Sequence, residues 1–191
     1  MRQVRALFDE DTVRVYQAYS PSIAEPAVAA GRFVAPFKRD RMTWIKPSFL
    51  WMMYRCGWGT KPGQERILAI DITRAGFESA LSQACLSHFD AEVYPDDETW
   101  QHRKALSPVR VQWDPERTAT FEPLPWRSLQ VGLGEAVVPA YVDDWIVRLT
   151  DITEQAREVQ HAVTDNPALL PAERPYPLPS EIARTIGASS E

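Results

Sequence analysis

The residues best suited to chemistry lie in one segment, residues 41–58, with the sequence RMTWIKPSFLWMMYRCGW. A strand predicted at its start delivers Lys46 to the beginning of a predicted helix, where free backbone N–H groups and the helix dipole favour an anion. Ser48 adds a hydroxyl, and Arg55 adds a planar guanidinium with five donors. The tryptophans of the segment offer flat apolar faces on which a ring can stack. Cations, donors and rings in one segment indicate a site for a phosphate-bearing ligand such as a nucleotide.

The charge of the chain is unevenly distributed. The formal net charge is −5, which argues against a protein that wraps long nucleic acid. Residues 32–66, however, hold eight Lys and Arg residues and only Asp40 and Glu65 as acidic residues. Such a local excess can focus the electric field on a small anion, either a nucleotide phosphate or a nucleic-acid end. The alternative interpretation is a solvated basic loop beside acidic elements, with the tryptophans in the core.

Polar side chains also interrupt three predicted strands. Gln17 lies in VYQAY, Gln112 and Asp114 lie in VQWD, and Arg127 and Gln130 lie in WRSLQVGL. A buried polar group costs roughly 1–3 kcal/mol unless it is paired, so such groups either form a network or line a pocket. The sequence leaves both interpretations open.

The elements that would position these residues form an α+β pattern. Alternation and β-branched residues predict strands at 12–19, 41–46, 65–73, 109–114 and 126–133. Helices are predicted after Ser20-Pro21, over 48–56, over 76–87 and after Asp151. Residues 88–107 read as a long loop with room for a helical turn, and 135–142 as a hairpin partner or bulged continuation of the preceding strand.

These elements predict one domain and one extended arm. We expect a single α+β domain over residues 1–165, with a mixed or split β-sheet flanked by helices. The remaining residues, 166–191, are rich in proline and form an arm with a short helix near 180–187.

The composition excludes several classes of protein. Hydrophobic residues make up 45% and charged residues 25% of the chain, which is typical of a globular domain. No apolar run reaches the roughly 20 residues of a membrane helix, and the first residues lack a secretory signal. Two cysteines are too few for a disulfide framework. We therefore expect a cytoplasmic protein with no membrane partner.

Motifs of the familiar catalytic classes are missing. The sequence has no GxxxxGK[ST], HExxH, CxxC or GxSxG pattern. GLGEAV (132–137) lacks the third glycine and the following helix of a dinucleotide-binding turn. Cys85, His88 and His102 could in principle ligate a metal ion, but they are scattered through polar segments. No metal is expected.

The strings VYQAY, RMTWIKPSFLWMMYR, QERILAIDI, VRVQWDPER and RSLQVGL resemble a largely bacterial family called domain of unknown function 4291. They span about residues 1–155. The long middle string is highly specific, and the family has no established activity.

The order of elements is also similar to that of small ADP-ribosyltransferase-like domains, which bind NAD. The resemblance implies that Gln17 faces NAD from the first strand and that Gln130 occupies the catalytic position of a late strand. Gln17 then replaces the usual His or Arg, and Gln130 replaces a Glu that stabilises an oxocarbenium-like transition state. Glu135 is a carboxylate nearby in sequence. The catalytic candidates are thus Gln17, Gln130 and Glu135, with NAD as the implied cofactor.

The leading hypothesis is a nucleotide- or NAD-binding domain, extended to a transferase of the ADP-ribosyltransferase-like type that acts on nucleic acid or a nucleotide. The candidate ligand-binding residues are Arg41, Thr43, Lys46, Ser48, Trp51, Arg55 and Arg127. One alternative is a non-catalytic module that binds RNA or nucleic-acid ends, and another is a structural or interaction protein. If the polar and basic candidates converge on one cleft, a nucleotide site is favoured, whereas a flat basic face favours nucleic acid. The sequence leaves the oligomeric state open.

Overall fold

A computed structural model describes residues 1–189 of the chain. The strands are β1 (Arg5–Ala6), β2 (Thr12–Tyr19), β3 (Thr43–Ile45), β4 (Arg66–Thr73), β5 (Ala84–Leu86), β6 (Val109–Arg117), β7 (Pro123–Leu133), β8 (Ile146–Asp151) and β9 (Arg174–Pro175). The α-helices are α1 (Pro21–Ala30), α2 (Phe49–Cys56), α3 (Arg74–Ser82), α4 (Asp97–Leu106), α5 (Val138–Ala140), α6 (Thr153–Ala162) and α7 (Ser180–Ile186). A π-helical turn follows α5 at Tyr141–Trp145, and a 3-10 turn lies at Pro167–Leu169.

Two sheets form the centre of the domain. One is antiparallel with the order β2-β4-β8, and the other has the order β3-β7-β6-β5, with β5 parallel to β6. The sheets meet where Tyr16 of β2 exchanges two backbone hydrogen bonds, of 2.7 and 3.2 Å, with Lys46 just after β3. Helix α2 contacts both β2 and β6. The predicted single α+β domain with a split sheet flanked by helices is confirmed.

The local signals around the sheet junction act as expected. Helix α2 begins after Ser48, whose Oγ accepts a hydrogen bond from the Trp51 N–H at 3.1 Å, and it ends at Gly57 with φ of 59°. A positive φ at this position suits glycine, which has no Cβ to clash. The apolar face of α2 is buried as the periodicity predicts. Because both ends of α2 are fixed, the residues just before it are held at the sheet junction.

Three segments differ from the sequence predictions. The helix predicted over 76–87 ends at Ser82, and the next residues form β5, which pairs with β6. The predicted loop over 88–107 contains α4, because Asp96 caps it by accepting the Thr99 N–H at 2.7 Å. The predicted continuation at 135–142 is instead α5 and the π-helical turn. A short buried apolar run has no periodicity that separates strand from helix.

The proline-rich C-terminal segment packs against the body of the domain. Strand β9 pairs with β1, and the indole Nε1–H of Trp113 donates to the Ile186 carbonyl at 2.7 Å. Tyr176 is buried and donates to Glu78 at 2.6 Å. The predicted short helix is present as α7, while the domain boundary at residue 165 stays a prediction. Within residues 1–189, no helix has both the length and the apolar character that a membrane crossing requires.

Candidate functional site

A cleft of about 310 Å³ opens at the junction of the two sheets. Its walls come from the end of β2, from residues 41–46, and from the loop that follows α2 through Gly63 and Gln64. Two cations, Lys46 and Arg41, line the cleft, and none of the lining residues within 1–189 is an Asp or a Glu. The electrostatic character of the cleft therefore suits an anion.

Lys46 is the buried cation of this cleft. Its residue exposure is 7%, and within residues 1–189 its Nζ reaches only the Trp44 carbonyl, at the long distance of 3.5 Å. Among the ion pairs within 4.0 Å in the described part of the chain, none involves Lys46. Burial, followed by the positive charge of Arg55, lowers the pKa of the Lys46 amine from 10.5 to about 8. At neutral pH the side chain is thus mostly a cation without a counter-ion.

Gln17 is the centre of a hydrogen-bond network in one wall of the cleft. Its Nε2 donates to Thr43 Oγ1 at 2.8 Å and to Tyr19 Oη at 2.9 Å. Its Oε1 accepts from Tyr141 Oη at 2.7 Å. Gln17 is 2% exposed, so its amide ties β2, β3 and the π-helical turn together. The sequence anticipates a network or a pocket at Gln17, and the structure has both at this position.

The two tyrosines of this network are neutral hydrogen-bonding groups. Burial is the main cause that raises the pKa of Tyr19 and of Tyr141 above the ordinary value of 10.0. Tyr141 is missing from the sequence-based candidates because its segment was predicted to be a strand. Tyr19 could have been identified from the sequence, since it lies two residues after Gln17 on the same predicted strand and therefore on the same face of the sheet.

Gln130 lies on β7 and positions a carboxylate. Its Nε2 donates to Asp114 Oδ2, and the Gln112 Nε2 donates to Asp114 Oδ1 at 2.9 Å. Gln112 and Gln130 are direct cross-strand partners. Gln130 does not line the cleft, but the negative charge of Asp114 reaches Lys46 and raises its pKa against the effect of burial. Asp114 itself does not line the cleft but lies with Gln112 in a separate depression, so its charge is a minor influence on the pKa of Lys46.

The remaining charged candidates, three arginines and Glu135, lie on the surface. Arg41 is exposed and lines the cleft. Arg55 is exposed on α2, outside the cleft lining, and its charge acts on Lys46. Arg127 is exposed on β7, where its Nη1 contacts the Trp113 carbonyl at 3.4 Å. Glu135 is exposed in the turn after β7, also outside the cleft lining.

Trp44, rather than Trp51, is the tryptophan of the cleft. Trp51 is 3% exposed and stacks on Tyr54 with ring centroids 5.1 Å apart, so it belongs to the core. Trp44 is half-buried and lines the cleft. Its indole lies against Gly132 of β7, where a Cβ would stand 3.0 Å from the ring. Glycine at position 132 thus allows the indole to approach the strand closely.

The N-terminus of α2 is already occupied by a carboxyl group of the protein itself. Glu173, from the C-terminal segment, accepts the Phe49 N–H at 2.7 Å through Oε1. Burial is the main cause that raises the pKa of Glu173 to about 8, and the nearby Glu116 contributes to the rise. Ser48 is buried as the N-cap of the same helix. The anion site therefore differs from the sequence prediction: Lys46 faces the cleft, while the helix end faces Glu173.

Metal binding has no structural support in the described chain. Within residues 1–189, no group of three or more His, Cys, Asp or Glu side chains is arranged to hold a metal ion. Both Cys56 and Cys85 are buried free thiols.

The comparisons with known proteins identify a family. The family model described as Domain of unknown function (DUF4291) matches residues 3–176. The chain belongs to the DUF4291 family. The match covers the cleft, the Asp114–Gln130 pair and Glu173, all of which are thus within the DUF4291 domain. No curated protein matches the chain, and the comparisons lend no support to the similarity with ADP-ribosyltransferase-like domains.

Proposed function

We propose that this DUF4291 protein binds a nucleotide and holds its phosphate at Lys46. The observation that carries the proposal is the buried ammonium group of Lys46, which has no carboxylate within 4.0 Å among the described residues and lines a cleft without acidic residues. A buried charge is unfavourable unless it is paired. A phosphate oxygen at this position would supply both the missing charge and a charge-assisted hydrogen bond.

The surrounding groups favour the same ligand. Arg41 lines the cleft and offers a second cation, while Arg55 adds positive potential from α2. Hydroxyls of Thr43 and Tyr19 and the half-buried indole of Trp44 complete the lining. Donors for a sugar and a flat face beside a phosphate site are the groups that a nucleotide requires.

The shape of the site supports a nucleotide over a strand of nucleic acid. A concave cleft of about 310 Å³ suits a small ligand, whereas a module for nucleic-acid strands requires an extended basic groove. Gln17, Arg41 and Lys46 line the cleft, whereas Arg55, Arg127 and Gln130 do not. The candidates thus converge on the cleft only in part, and they form no continuous basic face. Binding to nucleic-acid ends stays an alternative, and the cytoplasmic location stays a prediction.

NAD is the first nucleotide to test, because the resemblance to ADP-ribosyltransferase-like domains implies it. Transfer of ADP-ribose requires stabilisation of positive charge that develops on the sugar. The lining residues within 1–189 supply no carboxylate for this purpose. Asp114, held by Gln112 and Gln130, is the carboxylate whose charge reaches the cleft. A transferase would therefore use Asp114, with Gln130 as its positioning residue.

The first prediction concerns affinity. Lys46→Met is expected to weaken binding of a phosphate-bearing nucleotide by roughly 1–3 kcal/mol, or about 5- to 150-fold, because a charge-assisted hydrogen bond is lost. Isothermal titration calorimetry with NAD, nicotinamide mononucleotide and uridine 5′-monophosphate measures this change. Lys104→Met is the matched control: it removes the same charge on α4, outside the cleft lining, and leaves the affinity unchanged.

Two outcomes would contradict the proposal. One is that no phosphate-bearing nucleotide binds to the folded wild-type protein. The other is equal affinity in the wild type and in Lys46→Met. If NAD binds, measuring nicotinamide release from it distinguishes a transferase from a protein that only binds.

Asp114→Asn should abolish any such release and leave the affinity for NAD unchanged.

A further inference from the structure

A smaller compartment of about 110 Å³ adjoins the cleft. Both cavities are lined by Tyr19, Arg41 and Thr43, so one ligand can reach from one into the other. The other walls of the compartment come from Ile23 of α1 and from residues 36–38 in the loop before β3. Tyr19, Ile23, Pro36 and Phe37 supply apolar and aromatic surface, and Lys38 and Arg41 add two cations to the lining.

Packing contacts with neighbouring rings fix the aromatic wall of the compartment. Phe37 is half-buried and stacks on the fully buried Phe33, with ring centroids 4.4 Å apart. Tyr19 meets both rings edge-on, at 5.9 Å from Phe37 and 5.5 Å from Phe33. A backbone hydrogen bond of 2.9 Å from Phe37 to Val34 closes the turn that carries Phe37. The compartment is therefore preformed, which lowers the ordering cost of binding a flat ring.

The wall shared by the two cavities has one hydroxyl hydrogen to spare. Tyr19 Oη and Thr43 Oγ1 lie 2.9 Å apart, and each also accepts from the Gln17 amide. Only one of the two hydroxyls can donate along the line that joins them. The hydrogen of the other hydroxyl has no further acceptor among the hydrogen bonds of the described residues. It can donate to a ligand oxygen between the two cavities.

We propose that the compartment binds the single six-membered ring of a nucleotide whose phosphate lies at Lys46, that is, a pyrimidine or a nicotinamide ring. This inference rests on the proposed function and names its ligand class. An apolar cavity of about 150 Å³ holds one benzene ring. The compartment is smaller, at about 110 Å³, but it shares a wall with the cleft and is open toward it, so it has room for one ring and not for the two fused rings of a purine. The ribose then lies at the shared wall, where the spare hydroxyl hydrogen meets a ribose or base oxygen.

The test compares four ligands by calorimetry: ribose 5-phosphate, uridine 5′-monophosphate, nicotinamide mononucleotide and adenosine 5′-monophosphate. The affinity for ribose 5-phosphate measures binding at the phosphate site without a base. At least one of the two single-ring nucleotides is expected to bind at least tenfold more tightly than ribose 5-phosphate. Adenosine 5′-monophosphate is expected to bind with the same affinity as ribose 5-phosphate. Two variants change the compartment and leave Lys46 in place. Phe37→Ala removes its aromatic wall, and Ile23→Phe fills it.

Both variants should abolish the gain from the ring and retain the wild-type affinity for ribose 5-phosphate, which also reports that they are folded. If ribose 5-phosphate binds and depends on Lys46 but neither single ring adds affinity, the compartment is not a ring site and the proposed function stands. An equal gain for adenine would likewise overturn the inference alone. If none of the four ligands binds, the proposed function fails and this inference fails with it.

Discussion

Replacing Lys46 with Met is expected to increase the stability of the protein at pH 7, although the same change is expected to weaken ligand binding. The folded-state pKa of about 8, against 10.5 for an ordinary lysine, corresponds to about 2–4 kcal/mol of destabilisation at neutral pH. Methionine fills a similar volume and carries no charge to bury. A functional residue that lowers stability is a common compromise in binding sites.

The pH dependence of this effect has a defined sign. Below pH 8 the amine is protonated in both states, so the wild type bears the full cost of the buried charge. Between pH 8 and 10.5 the folded state releases the proton while the unfolded chain still holds it, so wild-type stability rises with pH. The difference between wild type and Lys46→Met should therefore shrink as the pH approaches 10.5.

Urea denaturation at pH 7 and pH 10 measures both effects. The control, Lys104→Met, removes a partly buried contact with the Trp100 ring, with Nζ 4.4 Å from the ring centroid, and a long hydrogen bond of 3.4 Å to the Ser87 carbonyl. This change should cost about 1 kcal/mol, and a similar amount at either pH. A loss of stability in Lys46→Met at pH 7 would contradict this account, because it would mean that the amine already has a stabilising partner within the protein.

The wild-type protein is expected to lose stability as the pH rises from 4.5 to 8, and Glu173→Gln is expected to remove this loss. Burial raises the folded-state pKa of Glu173 from 4.5 to about 8. The charged groups around it are Glu116 of β6, which raises this pKa, and Arg5 of β1, which lowers it; Tyr16 of β2 stays neutral because burial raises its own pKa. The Phe49 N–H donates to it from α2.

The sign for Glu173 is opposite to that for Lys46. Below pH 4.5 the carboxyl is protonated in both states and has no effect on stability. Between pH 4.5 and 8 the unfolded chain ionises while the folded state keeps the proton, so stability falls with rising pH. Because Glu173 is partly accessible, we expect a difference of about 1–3 kcal/mol between wild type and variant at pH 8.

Chemical denaturation at pH 5, 6, 7 and 8 tests this prediction. Glutamine retains an oxygen that accepts the Phe49 N–H, so the contact with α2 survives. Glu181→Gln changes an exposed carboxylate of the same C-terminal segment and should leave the pH dependence as in the wild type. Parallel curves for Glu173→Gln and the wild type would contradict a raised pKa at Glu173.

Local signals in the sequence predict most of the elements that carry the site. Ser48 and Gly57 delimit α2, and alternation predicts β6, because these features depend on neighbouring residues only. The same reasoning selects Lys46, since the junction of a strand with a helix can be recognised locally. The structure then adds burial, which turns a basic residue into a cation without a partner.

The other parts of the site depend on contacts between distant residues. Glu173 meets Phe49 across 124 positions of the chain, and Tyr141 meets Gln17 across the same separation. No spacing or periodicity records such pairs. The loop that carries Phe37 has no regular structure, so the aromatic compartment also has no sequence signature. The sequence consequently identifies Lys46, the residue of the proposed phosphate site, but not the aromatic groups of the proposed ring compartment.

The pKa of the Lys46 amine tests the central claim most directly, because the claim is that a phosphate supplies its missing counter-ion. Nuclear magnetic resonance of the lysine side chains, with Lys46→Met to assign the signal, gives this pKa without ligand and with saturating ribose 5-phosphate or nucleotide. We predict a pKa of about 8 for the free protein and a rise toward or above 10.5 in the complex. A Lys46 pKa that is the same with and without every ligand that binds would contradict the account.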